Sequence, residues 1–193
     1  MHLESLRDVV TDGLKDLYNA ENQLIKALPK MAKGAGSEEL RNALTEHLEQ
    51  TKNHVTRLEE ACRIMNITPK GKTCHAMKGL IEEGSEILEE DGSPAAKDAA
   101  MIAAAQKVEH YEISAYGSMR TFADVLGETR LAELLNETLQ EESQADKLLT
   151  QIAETGLNED AADEDEEEDE EEDDGADAES EDEMAGSRRG RNS

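Results

Sequence analysis

Apolar residues recur along the first 158 positions with the spacing of a helix rather than of a strand. In "LESLRDVVTDGLKDLYNAENQLIKALPKMAK" they fall at Leu6, Val10, Leu14, Leu17, Leu24, Leu28 and Met31, close to a 3.6-residue period. This predicts a first helix over residues 3–33, with Pro29 placed for a kink or an early stop. Gly34 and Gly36 end it. Ser37, followed by Glu38 and Glu39, caps a second helix that closes at the polar "NITPKGK" loop. A shorter helix, "CHAMKGLIEEGSEILEE", stops at "DGSP". Ser93 then caps a long fourth helix with Pro94 at its first position, where the missing N–H is no loss. After Gly127 a fifth, "ETRLAELLNETLQEESQADKLLTQIAET", stops at Gly156.

No segment alternates apolar and polar with period two, so the fold class is all-α. Four helices of roughly 30 residues span about 45 Å each and pack side by side as a four-helix bundle. The additional short helix lies in the crossover connection between the two hairpins, which gives that connection the length a ferritin-like topology needs.

Composition narrows this further. One Phe, three Tyr and no Trp leave too few aromatics for a sandwich or barrel. No run of about 18 apolar residues is present, so no membrane span is expected. The acidic N-terminus "MHLESLRDVV" has no basic-then-apolar leader, and a cytoplasmic protein is expected. Cys62 and Cys74 read as reduced, structural thiols. Residues 161–193 hold 17 acidic and 3 basic residues, so half of the net charge of −27 sits in the last sixth of the chain. That balance argues against nucleic acid as a partner, which needs a basic face. Two units follow: a helical domain over 1–158 and an acidic, disordered tail over 159–193. The tail reads as a solubilising brush, a cation sponge or a docking site for a basic partner.

Several polar residues point the wrong way. On the first helix Glu21 lies within about 40° of the apolar direction. On the second, Thr51 is nearly central with His47 and His54 beside it, and His47 reads as structural. On the fourth, Glu112 is close to the centre, Glu109 within about 60° of it, and Tyr116 follows one turn on. On the fifth, Thr138 and Glu142 sit within the stripe and Asp146 at its margin. His110 points away from the stripe, and His2 and His75 form no pattern. Buried unpaired carboxylates are expensive, and four together repel; a divalent or trivalent cation removes that repulsion. Oxygen ligands with one imidazole suit iron or manganese better than zinc. The competing reading places these residues at bundle edges or in salt bridges with inward Lys or Arg.

"DLYNAENQLIKALPKMAKGA", "HLEQTKNHVTRLE", "AMKGLIEEG" and "DAAMIAAAQKVEHYEISAYGSMRTFADVLG" closely resemble the YciF/YciE-type stress-response proteins, a bacterial branch of the ferritin-like superfamily. The resemblance runs over roughly residues 3–157 and implies a ferritin-like bundle that forms a homodimer. Within the wider superfamily, Glu21 resembles the first-helix ligand and His54 the second-helix histidine. Glu109 and Glu112 resemble the paired glutamates of the third core helix, and Glu142 the last-helix glutamate. Thr51 and Ala145 depart from the pattern, standing where a glutamate and a histidine are usual, with Asp146 beside the second gap. A single ion, or an asymmetric pair completed by Asp146, follows from that. The expected protein is a cytoplasmic stress protein binding iron or manganese at Glu21, His54, Glu109, Glu112, Glu142 and Asp146, with peroxide or Fe(II) oxidation as its chemistry and no catalytic residue assigned. The alternatives are a metal-free dimeric structural or interaction module with a degenerate site, and a storage cage.

Overall fold

The computed structural model describes residues 4–162. It contains α1 (Leu6–Gly34), α2 (Glu38–Ile64), α3 (His75–Glu89), α4 (Pro94–Val125) and α5 (Thr129–Ile152), with no strand among the described residues. No helix among them is long and apolar enough to cross a membrane.

The helix ends follow from local chemistry. The Ser37 hydroxyl accepts the Leu40 N–H and that of Ser93 accepts the Ala96 N–H, each satisfying a donor with no partner inside its helix. At the other end of α4, Gly127 adopts φ 73. The Glu128 N–H returns to the Ala123 carbonyl and the Gly127 N–H to that of Asp124. This is a Schellman turn, and the left-handed residue it requires is cheap only for glycine. Pro29 sits inside α1 without ending it. Regular helix in α5 stops at Ile152, and the backbone breaks at Thr155 and Gly156, the latter at φ 121. Helical geometry then resumes over 158–162, so the chain does not leave the fold at Gly156. From residue 163 onward the acidic tail expected over 159–193 lies outside the described residues.

Each of the four long helices packs on two of the others. α1 and α2 form one hairpin, α4 and α5 the other, with α1 against α4 and α2 against α5. Arg7 at the start of α1 contacts Met65 after α2 and Glu128 before α5. The start of α4 meets the far end of α1, where Asp98 reaches Gly36 and Ser37. α2 therefore ends at one end of the bundle and α4 begins at the other. The chain must travel back along the bundle's length between them, and α3 makes part of that journey packed on α1 and α4.

The core is divided along its length. One apolar cluster gathers Leu24, Leu28, Leu40, Leu44, Met101, Ile102 and Leu149. A second gathers Val10, Leu14, Leu17, Leu58, Tyr116, Leu131 and Leu135. Between them lies a buried polar layer drawn from α1, α2, α4 and α5. Cys62 and Cys74 are free and buried, and burial pushes the Cys62 thiol up to about 11.

Asp98 ties the α1–α2 turn to the start of α4. Its carboxylate is 2% exposed and accepts the Gly36 N–H at 2.9 Å and the Ser37 N–H at 2.6 Å. Asp98→Ala should lower the unfolding free energy by about 2 kcal/mol, because two donors lose a charged acceptor. Urea denaturation should show a lower midpoint at unchanged slope; a midpoint equal to wild type would mean that the turn does not depend on this carboxylate.

Candidate metal centre

The polar layer is built from short helical repeats. Three residues separate Glu109 from Glu112 on α4, which places them one above the other. Seven residues separate His47 from His54 on α2, two turns less about 20°, so both imidazoles face the same interior. Glu21 enters from α1 and Glu142 from α5. Glu21, His54, Glu112 and Glu142 are fully buried, and His47 and Glu109 nearly so.

Their donor atoms form two groups, each with its atoms within 4.8 Å of one another: Glu21, His54 and Glu142; and His47, Glu109, Glu112 and Glu142. Glu142 belongs to both. Its Oε1 lies 3.0 Å from His54 Nδ1 and its Oε2 3.9 Å from His47 Nε2. Glu21 Oε2 is 3.5 Å from His54 Nδ1, and Glu109 Oε1 is 3.3 Å from His47 Nε2.

These approaches are close but not aligned as hydrogen bonds. Glu21 Oε2, His47 Nε2, His54 Nδ1, Glu109 Oε2, both oxygens of Glu112 and both of Glu142 have no hydrogen-bond partner. Buried polar atoms in folded proteins are almost always partnered. Eight without hydrogen-bond partners lie in one layer, in two groups that share Glu142. Carboxylate oxygen with imidazole nitrogen is a donor set that holds a metal ion.

Outside this ring the ligand-bearing side chains are fixed by further contacts. His54 Nε2 lies 2.8 Å from Glu141 Oε2, and Arg57 clamps Glu141 while reaching Glu137 at 2.9 Å and Thr138 at 3.3 Å. A carboxylate on the far nitrogen of a ligating histidine fixes its tautomer and ring orientation. The Tyr116 hydroxyl donates to Glu21 Oε1. Thr51 donates to the His47 carbonyl at 2.8 Å, which satisfies the hydroxyl locally.

Protonation follows from burial. Burial, reinforced by the neighbouring carboxylates, raises Glu109 and Glu112 well above the ordinary carboxylate range. Burial also raises Glu21, against the opposing pull of His54. For His54, burial acts downward, but Glu142 and Glu21 outweigh it and lift the imidazole to about 11. Burial would raise Glu141; Arg57 and His54 overcome that and hold it below its usual value. Without an ion the layer holds its charge down by binding protons, and an ion would replace them.

The structure thus brings together Glu21, His54, Glu109, Glu112 and Glu142. Asp146 stands apart: its Oδ1 receives Gln106 Nε2 at 3.1 Å and lies 3.2 Å from His110 Nε2. His47, read from the sequence as structural, is a member of the second group. The signal that could have found it was its seven-residue spacing from His54. Glu141 and Arg57 gave no such signal, because each looks like an ordinary surface charge on its own helix.

Fold and site together define a ferritin-like helical bundle with a buried carboxylate–histidine centre. The chain belongs to the family described as Domain of unknown function (DUF892), which it matches over residues 5–162. It is 43% identical to Protein YciF of Escherichia coli K12 over 162 residues, covering 83% of this chain and 98% of that protein. The crystal structure of the E. coli stress protein YciF superposes with a TM-score of 0.78 over 81% of this chain and 99% of that one. YcfI of Rhodopseudomonas palustris, at 38% identity, superposes with a TM-score of 0.74 over 77% of this chain and 94% of that one.

The raised carboxylates fix the pH dependence of the metal-free protein. Glu109 and Glu112 bind protons more tightly folded than unfolded, so their stabilisation is complete below about 4.5 and is lost as pH rises from there. That of His54 is complete below about 6.5 and is lost progressively towards about 11. In chelator at constant ionic strength, the melting temperature should therefore fall between pH 5.5 and pH 8, and Glu112→Gln should flatten the decline. A wild-type melting temperature independent of pH would contradict this assignment.

Proposed function

We propose that the centre holds two divalent ions of iron or manganese bridged by Glu142. One would be held by Glu21, His54 and Glu142, the other by His47, Glu109, Glu112 and Glu142. The observation that carries this reading is the set of eight unpartnered donor atoms, with the two Glu142 oxygens turned to different histidines. Charge supports the count, since two divalent ions balance four carboxylates. So does the ligand inventory. Dinuclear ferritin-like bundles use four glutamates and two histidines, and this layer supplies the same number with both histidines on α2.

A bound pair of this kind supplies redox chemistry suited to reducing a peroxide or to oxidising Fe(II) delivered as substrate. The chain's own residues prepare the site. The apolar clusters above and below shield the layer from bulk water along the bundle axis, which strengthens the electrostatic interactions inside. The Tyr116 hydroxyl donates a hydrogen bond to Glu21 Oε1, and burial makes that phenol hard to ionise. Glu141 and Arg57 hold His54 from behind. We place this protein in the cytoplasm as a homodimer; its action under stress is the part of this reading that its likeness to the E. coli stress protein supports.

A second reading is a metal-free structural or interaction module. It is favoured by Thr51 and Ala145 at positions where the wider superfamily has ligands, and by the provisional designation of the R. palustris relative as a structural protein. His47 weighs against it, because it returns the donor set to six residues.

Mass spectrometry of protein purified without chelator should find about two ions per chain. Glu21→Ala should retain about one of them, while Glu142→Ala should lose both because it serves each group. A wild-type chain that is metal-free and ignores added Fe(II) and Mn(II) would leave the structural module.

A further inference from the structure

The two halves of the centre differ in their access to solvent. The Glu21–His54 half is backed by Tyr116, Glu141 and Arg57. The His47–Glu109 half faces an opening instead. A cavity of about 260 Å³ opens there between α2 and α5, with mostly aliphatic walls formed by Ala43, Leu44, Ala145, Leu148 and Leu149 and one polar wall residue, Gln144. Leu148, 42% exposed, marks the outer end. His47 and Glu109 form the inner end; they are only 7% and 3% exposed, and His47 Nε2 and Glu109 Oε2 have no hydrogen-bond partner. Gln50 Oε1, 3.4 Å from His47 Nδ1, orients the ring from its other side.

The dimensions and chemistry of this cavity select a class of ligand. A water molecule's share of liquid is about 30 Å³, so the space exceeds what hydrogen peroxide needs several-fold. Aliphatic walls favour a short alkyl group. Glu46 at the rim, and the carboxylates below, disfavour an anion. What fits is a neutral molecule with a small aliphatic body and an oxygen head that can reach His47 and Glu109. We propose that this cavity binds a short-chain organic hydroperoxide and presents its oxygen end to the His47–Glu109 half of the centre. The orientation rests on the metal reading above, whereas occupancy of the cavity does not. Ala145 is the determinant of room: its methyl group leaves open the space that a larger side chain on α5 would fill.

The test is a methyl NMR titration of the full chain, metal-free and zinc-loaded, with tert-butyl hydroperoxide and with the unreactive tert-butanol. Saturable shifts are expected at the methyls of Leu44, Leu148 and Leu149. Ala145→Leu should weaken both probes by about tenfold or more while leaving metal content and melting temperature unchanged. On the metal-free chain, pivalate of similar size should bind about tenfold more weakly than tert-butanol because of its charge. Absence of saturable shifts, equal affinity in Ala145→Leu, or pivalate binding as well as the alcohol would each overturn the proposal. If the wild type takes up Fe(II) or Mn(II) yet shows no probe binding, the pocket is refuted and the centre stands. If it binds tert-butanol but no metal ion, the pocket stands and the metal reading falls.

Discussion

Four carboxylates cannot share the dry middle of a helix bundle as anions unless positive charge is supplied there. Every other feature of this fold is arranged around that constraint. Glu21, Glu109, Glu112 and Glu142 occupy one layer, with apolar clusters above and below. Those clusters carry the burial that holds four long helices together. The layer between them contributes no comparable burial of apolar surface, and in the metal-free chain it is destabilising wherever its groups lose their protons.

The topology is what makes the layer possible. Each of α1, α2, α4 and α5 has to pass the middle of the bundle, so each can offer one or two side chains at the same height. The α2-to-α4 connection, with α3 packed on α1 and α4, brings the second hairpin alongside the first so that Glu109 and Glu112 meet Glu21 and the α2 histidines. Asp98 fixes one end of that arrangement through the α1–α2 turn, and Arg7 the other through Glu128. Position, rather than flexibility, is what the scaffold supplies.

Much of this was legible in the sequence. The 3.6-residue spacing and the Ser37 and Ser93 caps define the helices because those signals act within a few residues of one another. Glu21, Glu112 and Glu142 stood out together: one carboxylate near an apolar stripe has a bland explanation at the bundle edge, but several on different helices at similar depth point to a shared site. His47 was harder, since an imidazole near a stripe is ordinary and only its register with His54 marks it. Asp146, which lies outside both donor groups, shows the opposite difficulty. A helical wheel gives direction but not partners, and Gln106 and His110, both on α4, engage that carboxylate. The Glu141–Arg57 support behind His54 joins α5 to α2, a pairing no local pattern encodes.

The most direct measurement is anomalous diffraction from crystals grown with Mn(II) or with Fe(II) under anaerobic conditions, collected on both sides of the metal's absorption edge. Two peaks per chain are expected, one among Glu21, His54 and Glu142 and one among His47, Glu109, Glu112 and Glu142, with Glu142 between them. Density without an anomalous peak in the polar layer, or a single peak at Asp146 and His110, would contradict the account.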